Sequence, residues 1–103
     1  MKSLNYILLL LDSGKNQGIA LLETSSPQQV VDLVRVLYNL NTNKDLVPTK
    51  AKSLLTKNKN ILNKLFDKKI SEVSKYRLIR NNAKTIFQLL GFSKNVLLKA
   101  LKQ

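Results

Sequence analysis

The sequence predicts a mainly α protein: one small domain of about five helices ending in a helix-turn-helix-like pair. Three observations carry that expectation. Apolar residues from Val30 onward recur at three and four. Helix-starting chemistry stands at Ser26-Pro27 and Ser93. Within residues 4–24, β-branched residues are scarce beside Leu and Ala. The chain has 103 residues, enough for one modest core, and lacks Cys and His. That composition excludes zinc fingers, thiol chemistry, disulfides and His-based acid–base sites.

Residues 4–24 hold two apolar runs separated by Asp12-Ser13-Gly14-Lys15-Asn16-Gln17-Gly18, which is turn chemistry. A β-hairpin or two short helices would satisfy them, and periodicity does not separate the two. The first run ends at Asp12, has no small-x-small cleavage site after it, and falls short of a membrane span, so it reads as core. The expected location is therefore intracellular, in the cytoplasm or on a nucleoid. Val30, Leu33, Val34, Leu37 and Leu40 mark the next helix, which Asn39–Asn43 should close. Asn41–Val47 reads as a linker.

From Pro48 a seven-residue pattern repeats, Thr49-Lys-Ala-Lys-Ser-Leu-Leu55 and then Thr56-Lys-Asn-Lys-Asn-Ile-Leu62. Wound as one helix to about Lys69, it places Ala51, Leu54, Leu55, Ile61, Leu62, Leu65 and Phe66 on one face. Lys50, Lys57, Lys64 and Lys68 border that face on one side, and Lys52 and Lys59 on the other. One further helix, or two, covers Ser71–Leu90, with Arg77, Arg80, Lys84 and Gln88 on one stripe. Gly91 is placed to end it and Ser93 to cap a last helix. Phe66, Tyr76, Phe87 and Phe92 sit at apolar helical positions and read as core.

The charge is one-sided. The formal net charge is +12. Residues 1–46 are balanced: Lys2, Lys15, Arg35 and Lys44 face Asp12, Glu23, Asp32 and Asp45. Residues 47–103 carry fourteen Lys/Arg against Asp67 and Glu72. Two parts follow: 1–46, a neutral packing or dimerising half, and 47–103, a basic half suited to a polyanion. Both second-half arginines lie on the Arg77/Arg80 stripe, and Arg grips phosphate with a planar fork. Around Gly14-Lys15 and Gly18 the glycine order is wrong for a phosphate loop. Six acids in all are too few for a converging two-metal centre. No cofactor, metal or catalytic set is expected.

Asn82-Ala-Lys-Thr-Ile-Phe-Gln-Leu-Leu-Gly-Phe-Ser-Lys-Asn-Val-Leu-Leu-Lys-Ala-Leu-Lys102 resembles the C-terminal helix-turn-helix of the Fis family. The matching elements are Leu89–Asn95, Leu97 and Leu101-Lys102. The resemblance implies a turn at Gly91-Phe92-Ser93, nucleic-acid contacts from Lys94, Asn95, Lys99 and Lys102, and a homodimer. Ile86-Phe87, Leu98 and Ala100 depart from the family pattern. The function expected is a small non-enzymatic DNA-binding protein acting in transcription regulation. Its nucleic-acid-binding residues would be Arg77, Arg80, Lys84, Lys94, Asn95, Lys99 and Lys102. The alternatives are binding of RNA or a ribonucleoprotein, or docking as an inhibitor or adaptor on an acidic partner. A lysine-bordered helix on anionic lipid is disfavoured because Trp is absent and its apolar face is the obvious core.

Overall fold

The capping chemistry at Ser26-Pro27 starts a sixteen-residue helix, and four other helices pack on it. In the computed structural model, which describes residues 4–43, 45 and 47–102 with side chains as far as Ser93, seven α-helices and no strand occur among the described residues. They are α1 (Leu4–Asp12), α2 (Lys15–Glu23), α3 (Pro27–Thr42), α4 (Thr49–Lys57), α5 (Lys59–Phe66), α6 (Glu72–Asn81) and α7 (Ala83–Lys102). The principal extents are 31 × 27 × 26 Å.

Residues 4–24 form two helices and not a hairpin. Leu and Ala tolerate helix well, and Ser13 closes α1 by donating its hydroxyl to the Leu9 carbonyl at 2.6 Å. Gly14, extended at φ −69° and ψ 167°, opens α2. α3 starts with a capping box. The Ser26 hydroxyl accepts from the Gln29 N–H at 3.3 Å, and the Ser26 N–H donates to Gln29 Oε1 at 2.8 Å, with Pro27 just inside the helix. Its Val30, Leu33, Val36, Leu37 and Leu40 are buried and meet α1, α5, α6 and α7. Asp32 is buried on the same helix and accepts a long 3.5 Å hydrogen bond from Gln28.

Four helices end by one device. Thr24, Asn43, Asn58 and Asn82 send both main-chain N–H and side-chain donor to the carbonyl four residues back. Those carbonyls belong to Ala20, Asn39, Leu54 and Leu78, with side-chain bonds of 2.7–2.9 Å. All four residues sit near φ −106° to −120° and ψ 18° to 41°, between helix and strand values. A second donor on the same carbonyl lets the chain leave the helix without orphaning that oxygen.

This brings a second correction, after the hairpin: the repeat from Pro48 is two helices, α4 and α5, broken at Asn58, and α5 stops at Phe66. The stretch from Ser71 takes its two-helix alternative, broken at Asn82. The expected apolar face is retained: Ala51, Leu55, Leu62 and Leu65 are buried, and Leu54, Ile61 and Phe66 pack against them. Tyr76, Phe87 and Phe92 also pack on the core, as their spacing implied.

The third correction concerns the C-terminus. α7 runs unbroken through Gly91, so the Gly91-Phe92-Ser93 turn and the helix-turn-helix pair are not formed. Gly91 has no positive φ. Leu89, Leu90 and Ser93 are buried along one stripe, while Gly91 faces outward. That burial outweighs the roughly 1 kcal/mol that glycine costs a helix interior. Ser93 caps nothing; its hydroxyl donates to the Leu89 carbonyl at 3.2 Å.

Gly18 is needed for a different reason. It is buried in α2 against α7, and a Cβ there would fall inside the Phe87 ring. Gly91 has nothing within 4 Å of an added Cβ. Gly91→Ala should therefore stabilise the protein by about 0.5–1 kcal/mol. Gly18→Ala should destabilise it by about 1–3 kcal/mol. Thermal or urea unfolding followed by circular dichroism checks both. A loss of stability in Gly91→Ala would restore the turn.

Candidate nucleic-acid interface

The described basic half carries eleven cations from Lys50 to Lys84. All are exposed except Lys75, which is half-buried. The burial pattern of each helix dictates this. On α4, Ala51 and Leu55 point inward and leave Lys50, Lys52 and Lys57 outside. On α5, Leu62 and Leu65 do the same for Lys59 and Lys64. On α6, Ile79 is buried and Arg77 and Arg80 are not. Arg77 and Arg80, three apart, are neighbours on one helix surface.

The two acids of this half serve local structure. Asp67 Oδ1 accepts the Lys69 N–H at 2.9 Å and shapes the turn after α5. Glu72 lies in the first turn of α6, where the helix dipole favours an anion, behind the Ser71 cap that accepts from the Ser74 N–H at 3.2 Å. Among the described residues no ion pair joins either acid to the eleven cations. Arg80 occupies the last turn of α6, the end at which the dipole favours a cation. Neither acid of this half offsets its exposed cations.

The sequence-predicted residues divide into three groups. Arg77 and Arg80 come together as expected. Lys84 is exposed, but it lies beyond the Asn82 break at the start of α7, so the single Arg77–Gln88 stripe becomes two segments on two helices. Lys94, Asn95, Lys99 and Lys102 fall on the last turns of α7, and their side chains lie outside the described residues. Without a turn at Gly91 they do not lead a recognition helix.

Sequence reasoning missed Tyr38 and left Arg35 among the balanced charges of the first half. Both are exposed on α3, three residues apart. Position alone could have found them: Tyr38 lies off the Val30/Leu33/Leu37/Leu40 stripe, so a large ring there has no place in the core.

Other chemistries find little support. Among the described residues no group of His, Cys, Asp and Glu could hold a metal ion. No helix there is long and apolar enough to cross a membrane. The apolar face of α4 and α5 that a lipid surface would need is already inside the core. Comparison of the chain with family models, with curated proteins and with solved structures gave no match in any of the three.

Away from the cationic helices, Tyr6 joins α1 to α2. Its hydroxyl donates to the Leu21 carbonyl at 2.9 Å. Burial raises its pKa from 10.0 to about 12, with the Ser25 hydroxyl pulling the other way. The unfolded chain therefore loses this proton at lower pH than the folded one. The Tyr6 contribution to stability is complete below pH 10 and falls as pH rises from 10 towards 12. Tyr6→Phe should be less stable than wild type at pH 8 by about 0.5–1.5 kcal/mol, the worth of one hydrogen bond. The gap should narrow in urea melts at about pH 11, inside that window.

Proposed function

We propose that the protein is a non-enzymatic nucleic-acid-binding protein that holds duplex DNA by its phosphates through the exposed cations of α4, α5, α6 and the start of α7. The observation that carries this reading is the exposure of ten Lys and Arg side chains on one contiguous stretch of chain that holds two acids. Phosphate neutralisation releases condensed counterions and supplies sequence-independent affinity. Lysine and arginine on backbone phosphates fix position and read no bases.

The size agrees. A molecule 31 Å long spans duplex carrying about 18 phosphates, counted over both strands. A globule can reach only part of them, which matches the roughly six to ten phosphates neutralised by a strongly salt-dependent binder. With α7 continuous, nothing in the fold inserts a short recognition helix into the major groove. The reading is therefore one of charge and shape, with little base preference.

A salt titration against random duplex tests it. Affinity should fall by about 10³–10⁵ between 50 and 200 mM salt. Replacing Arg77, Arg80 and Lys84 together with Gln should weaken all sequences alike. The salt slope should then drop by about 0.9 for each phosphate no longer neutralised. A salt-independent affinity, or stronger retention by structured RNA in direct competition, would overturn the duplex reading.

A further inference from the structure

A second surface differs from the lysine faces in having an aromatic floor. It is a groove of about 630 Å³ between α3, the end of α5 and α6, a size suited to a small ligand. Val34, Tyr38 and Phe66 supply its apolar part, and Arg35, Lys68 and Lys75 its charge. No acid lines it. We propose that this groove takes one nucleotide unit of a single-stranded nucleic acid, its base stacked on Tyr38 and its flanking phosphates held by Arg35, Lys68 and Lys75.

The Tyr38 ring is prepared for that role. It meets Phe66 edge-to-face, with centroids 5.3 Å apart and planes at 88°. This contact fixes the ring while leaving Tyr38 52% exposed. A side chain held in place but uncovered loses little freedom when a flat partner arrives. Leu9 and Val73 are also exposed, but among the described residues Tyr38 is the one aromatic ring left open to solvent.

The charges point to the same occupant. Arg35 comes from α3, Lys68 from the turn after α5, and Lys75 from α6. Three cations from three elements line one apolar groove, and Lys75 is half-buried there. An occupant that pairs with them is anionic, and one that covers Tyr38, Val34 and Phe66 offers a flat apolar face. A nucleotide combines the two, since every base has a stacking face and every link a phosphate. In a duplex those faces are already stacked on neighbouring pairs, so the groove selects an unpaired strand.

This inference rests on the nucleic-acid reading and shares Lys68 with it, but its test turns on Tyr38, which that reading does not use, so the two can fail separately. The test measures full-length protein against three fluorescent probes: a short thymidine oligomer, an abasic oligomer of the same length, and random duplex. Wild type should prefer the thymidine to the abasic oligomer, with quenching of tyrosine emission. Tyr38→Ala should weaken thymidine-oligomer binding about 5- to 100-fold. Tyr38→Phe keeps the stacking face and should hold it within about threefold. Duplex affinity should be unchanged in both variants, whereas the Arg77/Arg80/Lys84 substitution lowers it.

Equal affinity for thymidine and abasic oligomers overturns the proposal, as does wild-type affinity in a folded Tyr38→Ala. Displacement of the thymidine oligomer by an acidic amphipathic peptide and not by mononucleotides would make the groove a protein-docking site and also overturn it. If Tyr38→Ala does not fold, the abasic comparison on wild type decides alone. Loss of duplex binding with Tyr38-dependent oligomer binding intact would sink the duplex reading and leave the groove standing.

Discussion

The burial of α3 is the constraint on which the rest of the molecule depends. The other helices, α7 apart, are eight to ten residues long, too short to persist in water by themselves. Each is held by setting a few apolar side chains against a longer helix or a neighbour, α2 and α4 chiefly against α7 and the others against α3. α3 supplies a wall through Val30, Leu33, Val36, Leu37 and Leu40, and α1, α5, α6 and α7 lie on it. Its start is fixed locally by the Ser26–Gln29 box and Pro27, so the register of the wall is set by residues adjacent in the chain. The outward strip of the same helix, Arg35 and Tyr38, is therefore held rigidly by an inward strip that cannot rotate.

What is legible in the sequence follows from how local each signal is. The start of α3 is readable because capping is chemistry between residues three apart. The core positions of α4 and α5 are readable from spacing alone. The breaks at Asn58 and Asn82 are not, because asparagine in a helical pattern can face solvent or turn back onto the carbonyl four residues earlier, and spacing does not say which. Gly91 errs in the opposite direction. Its local preference for a helix end, worth roughly 1 kcal/mol, is opposed by the burial of Leu89, Leu90 and Ser93, which only the packed fold supplies. The hairpin alternative for residues 4–24 stays open in the sequence because short apolar runs suit either state. The groove is invisible there because Tyr38, Lys68 and Lys75 meet only after α3, α5 and α6 have packed.

The Asn breaks also decide how the charge is presented. An unbroken helix through the heptad pattern would carry Lys50, Lys57 and Lys64 in one line, about 10.5 Å apart. Breaking it at Asn58 puts Lys50, Lys52 and Lys57 on one rod and Lys59 and Lys64 on another, and breaking at Asn82 separates Lys84 from Arg77 and Arg80. The cations are thus distributed over several short helices. At physiological salt the Debye length is about 8 Å, so repulsion between rods is partly screened there and grows as salt falls.

Charge and stability are therefore coupled through whatever anion is bound. An excess of +12 on 103 residues works against the compact state by self-repulsion, and more so at low salt. The core resists it with short helices, each held by one or two buried side chains on α4, α5 and α6. These are the elements that bear most of the described cations, so short helices with little apolar burial carry the most repulsion. A ligand that neutralises them binds the folded arrangement of rods and stabilises it by mass action. A polyanion bound on this surface would thus become part of what holds α4, α5 and α6 in the fold.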